Sequence, residues 1–113
     1  MVWPLRVFRQ HQSEKAVRTP ESYVKADVDK FLKSIGAFVV KPATFGYGVS
    51  GNPDRVACYA GKFIGIEIKR EGKFPTPLQQ LRLRSIHQAG GIAIWGDDAG
   101  RIIEELKTKL GLS

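Results

Sequence analysis

The hydrophobic positions of the chain fall into three stretches of helical spacing and four short apolar runs. Val24, Val28, Phe31, Leu32 and Ile35 recur at intervals of three and four, behind Thr19 as an N-cap and Pro20 at the first helical position, and stop at Gly36. "AFVVK" then reads as a short strand closed by Pro42, followed by the glycine-rich, aperiodic loop "ATFGYGVSGNP". "DRVACYA" and "FIGIEIK" read as two strands. After the basic loop "REGKF", Thr76 and Pro77 open a second helix that runs to Gly90-Gly91. "IAIW" is a buried strand, Asp97-Asp98 a turn and cap, and Ile102, Ile103, Leu106 and Leu110 mark a last amphipathic helix. The order helix, strand, strand, strand, helix, strand, helix predicts an α/β domain with a central mixed sheet flanked by helices.

The two middle strands carry the informative detail. Gly61-Lys62 between them suits a two-residue type II′ hairpin, which pairs Ala60 with Phe63. In that register Asp54 lies opposite Lys69 and Val56 opposite Glu67, all on one face. The side chains of Asp54, Glu67 and Lys69 then converge within roughly 4.5–8 Å at Cβ.

Composition narrows the function. At 113 residues and 42% hydrophobic content, the chain has enough material for one core. Eighteen Lys and Arg against eleven Asp and Glu give a net charge of +7, favouring a polyanionic partner. No apolar run is long enough to span a bilayer, and "MVWPLRVF" is too short and too polar for a signal peptide, so a soluble cytoplasmic protein is expected. The single cysteine, Cys58, excludes an internal disulfide and a cysteine-rich metal site; it reads as a small core residue on a strand. Residues 1–18, basic and with Trp3 and Phe8 but no period, read as an arm preceding a domain over residues 19–113.

Two carboxylates on adjacent strands, with no soft ligand near, suit a hard divalent cation, with the backbone carbonyl of Ile68 as a third oxygen. Mg²⁺ or Mn²⁺ is the expected ion. Held there, such an ion polarises a phosphodiester and acidifies a bound water, with Lys69 orienting that water or stabilising charge in the transition state. The plainer alternative is a cross-strand ion pair between Asp54 and Lys69, with Glu67 exposed. Gln79 has two readings as well: the far end of a capping box with Thr76, or a side chain pointing into the site. Glu21 lies on the inward stripe of the first helix, where it either serves the helix dipole or joins the site.

"TPESYVKADVDKFLKSIGAF", "GNPDRVACYAGKFIGIEIKREG" and "TPLQQLRLRSIHQAGGIAIW" together resemble the phage-type VRR-NUC domain, the virus-type replication-repair nuclease branch of the PD-(D/E)XK superfamily. The resemblance covers about residues 19 to 95. It implies a restriction-endonuclease-like fold and a catalytic set of Glu21, Asp54, Glu67, Lys69 and Gln79. It further implies a Mg²⁺- or Mn²⁺-dependent endonuclease acting on branched DNA as a homodimer, a resolvase of four-way junctions, in the cytoplasm of a bacterial or phage-infected cell. The alternatives are a nuclease cutting flaps or nicked duplex, and a non-catalytic DNA-binding module on the same fold.

Lys41, Arg55, Arg70, Lys73, Arg82 and Arg84 are candidates to follow a phosphate backbone, against the alternative of a solvated basic surface. "GYG" and "SGN" lack the GK[ST] sequel of a phosphate loop. His11 and His87 have no partner at metal-ligand spacing.

Overall fold

Strand β4 (Lys62–Ile68) organises the molecule, because one of its faces enters the main core while the other carries Gly65 and Glu67. In the computed structural model, which describes residues 6–7, 21–42 and 51–113, Ile64, Ile66 and Ile68 are fully buried on one face. They meet Val24, Val28 and Leu32 of helix α1 (Glu21–Ser34) and Ile102 and Leu106 of helix α3 (Ala99–Leu110). Each such isoleucine contributes about 1.5–3 kcal/mol of burial. On the opposite face of the sheet a smaller core forms under helix α2 (Pro77–Gln88), from Leu83, Ile86, Ala93 and Trp95. Gly65 faces that helix: a Cβ there would stand 2.5 Å from Ile86 Cδ1, so its missing side chain lets α2 sit close to β4.

The sheet has five strands in the order β1-β5-β4-β3-β2. β3 (Arg55–Tyr59) is antiparallel to both β4 and the edge strand β2 (Phe38–Val40), while β5 (Ile92–Gly96) runs parallel to β4. The predicted α/β architecture, a mixed sheet with helices on both faces, is the one formed. The element order gains one strand: Arg6–Val7, within the stretch read as an arm, pair in parallel with β5 as β1. The rest of that arm, the Thr19-Pro20 cap and residues 43–50 of the glycine-rich loop lie outside the described residues. Among the described residues no helix is long and apolar enough to cross a membrane.

Two local expectations are corrected. The hairpin turn is Ala60-Gly61, with φ of 51° and 79°, so Tyr59 rather than Ala60 opens the pairing and meets Lys62. Two positive φ values make a type I′ turn, whose twist matches the flanking strands; Gly61 takes its value without cost and Ala60 does not. Every partner moves by two residues, so faces are preserved but neighbours change. Val56 pairs with Gly65, and continuing the register by one residue sets Asp54 opposite Glu67 instead of Lys69. Cys58, expected in the core, is exposed. It stands in a row with Phe38 and Phe63 on the face where α2 covers β4 and β5 but not β3.

Candidate active site

The corrected register brings the two carboxylates together at one end of the sheet. Asp54, just before β3, is fixed through its own acceptors: the backbone N–H of Ile68 donates to Oδ2 at 2.8 Å. In an extended strand the N–H and C=O of a residue project to the same edge, so the Ile68 carbonyl also faces the Asp54 side. Glu67 lies on the α2 face, register-paired with Trp95, and only 2% of it is exposed. Lys69 follows on the same face with its Nζ 3.6 Å from Glu67 Oε2. The ion pair of Lys69 is thus with Glu67, and not with Asp54 as in the plainer alternative.

Gln79 closes the capping box and also bonds Glu67. Thr76 Oγ1 accepts from the Gln79 backbone N–H at 3.2 Å, and Gln79 Oε1 accepts from the Thr76 N–H at 2.9 Å, closing the capping box. The remaining end of the amide, Nε2, donates to Glu67 Oε2 at 3.0 Å. Glu67 Oε2 is thus well supplied, while its Oε1 is buried without a hydrogen-bond partner. Burial first, and the charge of Asp54 second, push the Glu67 carboxyl up to about 8, against the opposing pull of Lys69.

A buried carboxylate oxygen without a partner, beside a second carboxylate, is costly until a proton or a cation satisfies it. This donor set fits a small hard dication, which takes one or two carboxylates and completes its shell with water. Among the described residues no group of three or more His, Cys, Asp or Glu side chains gathers as a metal cluster, so a dication held by these two carboxylates would complete its shell with other oxygens, such as the Ile68 carbonyl and water.

Glu21 reaches this site indirectly. Its Oε2 lies 2.9 Å from Lys25 Nζ, one helical turn on, and Lys25 lies 3.6 Å from Asp54 Oδ1. Lys25 escaped the sequence reading, as did Asp29. The signal for them was the spacing Glu21, Lys25, Asp29, one stripe of α1 beside the apolar one.

Among the basic candidates, Arg55 is corrected. It is buried, its Nε and Nη2 donate to Asp29 Oδ1 and Oδ2 at 2.6 and 3.1 Å, and its Nη1 donates to the Asp54 carbonyl at 2.9 Å. A guanidinium so committed tethers the strand that carries Asp54 and has no face for phosphate. Lys41 is exposed and lies 3.7 Å from Asp29 Oδ2. Arg70 and Lys73 are exposed on the loop directly after Lys69; Arg82, half-buried, flanks Gln79 on α2, and Arg84 points to the far side of that helix.

The geometry can be set against solved structures. A structure described as a VRR_NUC domain superimposes with a TM-score of 0.66 at 21% identity, over 78% of this chain and 94% of that one. The fold is that of a VRR-NUC domain. No protein-family model matches the chain, and no curated protein is similar enough in sequence to match it.

Proposed function

We propose that the chain is a metal-dependent endodeoxyribonuclease that hydrolyses phosphodiester bonds in branched DNA, working as a homodimer on four-way junctions. The observation that carries the reading is the pairing of Asp54 with Glu67, whose buried Oε1 has no partner, with Lys69 and Gln79 both on the other oxygen. Asp54, Glu67 and the Ile68 carbonyl would hold Mg²⁺ or Mn²⁺, which when bound supplies a Lewis acid and an acidified water. Gln79 holds the Glu67 carboxylate in one orientation, leaving Oε1 turned away from the helix cap. Lys69 stands where it can orient an incoming water or offset charge developing on the phosphate oxygens. The net charge of +7, with Arg70 and Lys73 beside the site, supplies attraction for the DNA backbone.

One chain carries one such site, and resolving a junction takes two cuts, so a two-fold dimer matches the symmetry of the substrate. The test is cleavage of linear, flapped and four-way DNA by the full chain with Mg²⁺, Mn²⁺, Ca²⁺ or EDTA, with light scattering alongside. Junction cleavage with Mg²⁺ or Mn²⁺ only, by a dimer, is the expected result. Equal cleavage in EDTA refutes the metal; a monomer that cuts linear duplex as fast as junctions refutes the resolvase and leaves the simple nuclease. DNA binding with no cleavage under any condition leaves the binding module.

A further inference from the structure

Resting on that reading of Asp54 as a metal ligand, we propose that Lys25 is the resident counter-ion of Asp54, a positioning residue that holds the metal-free carboxylate in place and sets how tightly the site binds its metal.

The helix stripe is the starting point. Glu21 and Lys25 form an i,i+4 pair on α1, and an exposed pair of that kind stabilises a helix only slightly. The Lys25 ammonium also reaches across to a carboxylate 29 residues along the chain, at 3.6 Å from Asp54 Oδ1. A lysine is an ammonium at ordinary pH, so the contact is one of opposite charges.

The partners of each oxygen then fall into a pattern. Asp54 Oδ2 accepts from Ile68 N–H, and Oδ1 faces Lys25. Glu67 Oε2 has Gln79 and Lys69, and Oε1 has none. Each carboxyl group thus has its own ammonium, and without Lys25 the Asp54 carboxylate would lose its partner at Oδ1. A dication that takes Asp54 shares that carboxylate with Lys25, and two cations on one carboxylate repel. At such short range this weakens binding by roughly tenfold even with strong solvent screening. Glu21 keeps the ammonium at hand, which gives the first-helix acid its role: it acts on Asp54 through Lys25.

The test is Mn²⁺ binding to the full chain without DNA, followed by the electron spin resonance signal of free Mn²⁺ and by calorimetry. Lys25→Met and Lys25→Gln should each tighten Mn²⁺ binding about tenfold and lower the melting temperature of the metal-free protein. Lys25→Arg, which keeps the charge, should stay close to the unsubstituted chain on both readouts. Both substitutions are on a partly exposed helix position, and either one suffices if the other folds poorly. Unchanged or weaker Mn²⁺ binding in Lys25→Met and Lys25→Gln, with binding still abolished by Asp54→Asn, overturns the role of Lys25 and leaves the metal site standing. If the unsubstituted chain binds no Mn²⁺ at all, the metal-site reading fails and this inference with it.

Discussion

The side-chain amide of Gln79 bonds Glu67 and caps its own helix in the same conformation: Nε2 donates to Glu67 Oε2 at 3.0 Å while Oε1 accepts from the Thr76 N–H at 2.9 Å. The start of α2 is thereby mechanically tied to the buried carboxylate. An amide suits this position because it offers a donor and an acceptor at opposite ends of one rigid group. A carboxylate there would close the cap but repel Glu67.

The two functions separate by mutation. Thr76→Ala removes half of the capping box and should cost about 1 kcal/mol, or roughly 4–6 °C in melting temperature, with cleavage at 25 °C nearly unchanged. Gln79→Ala should cost more stability and should also slow cleavage, because Glu67 loses the donor that orients it. Thermal melts and single-turnover rates on the two variants check this. Equal rates for Gln79→Ala and the unsubstituted chain would reduce Gln79 to a cap.

Asp54 and Glu67 should respond oppositely to neutralisation in the metal-free protein. Asp54 is built into the fold by its bonds to Ile68 N–H and Lys25, so Asp54→Ala should lower the melting temperature. Glu67→Gln removes a charge that burial and Asp54 disfavour, so at pH 8 it should raise it. The pH dependence carries a definite sign. The folded protein keeps the Glu67 proton up to about 8, whereas the unfolded chain releases it near the ordinary glutamate value of 4.5. The stability from that proton is full below pH 4.5 and is lost as pH rises through about 8. Melts in EDTA should fall across this window for the unsubstituted chain and stay flatter for Glu67→Gln. A matching slope in both would show that Glu67 titrates normally.

Cleavage depends on Asp54, Glu67 and Lys69 together in this reading. Asp54→Ala, Glu67→Ala and Lys69→Ala should each abolish product while retaining DNA binding, which dispersed phosphate contacts dominate. Gel shifts run beside the cleavage assay decide it, and any one variant that cuts at the normal rate loses its assigned role.

Periodicity made the helices and the strands legible, because Val24, Val28 and Leu32, or Ile64, Ile66 and Ile68, must face a core to be stable. It also placed Glu67 and Lys69 on one face with Asp54 on the neighbouring strand end, and that survived an error in the turn. A shift of two residues preserves which face a side chain occupies, and only its partner changes. What sequence could not reveal was the choice between Gly61-Lys62 and Ala60-Gly61, since it turns on Ala60 accepting a positive φ for the sake of strand twist. Nor could it show that Cys58 would be exposed, because the reach of α2 across the sheet is a tertiary matter. Arg55 failed for a related reason: an arginine after an aspartate looks like a surface cation until helix α1 places Asp29 beside it.

Arg55 supplies the sharpest contrast with the exposed cations. Arg55→Ala would leave Asp29 without its bidentate partner and release the Asp54 carbonyl, a loss on the order of 2–3 kcal/mol for a largely buried pair. Because the same contacts anchor the start of β3, cleavage should fall together with stability. The salt dependence of DNA binding by the folded variant should not change, since no phosphate contact is lost. Lys73→Ala or Arg70→Ala should do the reverse: hold the melting temperature, weaken DNA binding, and flatten the slope of log affinity against log salt by about one unit for each contact removed. Melting curves and binding titrations at several salt concentrations separate the cases. An Arg55→Ala protein with an unshifted melting temperature and a flatter salt slope would return Arg55 to the DNA-contacting set and make its bond to Asp29 incidental.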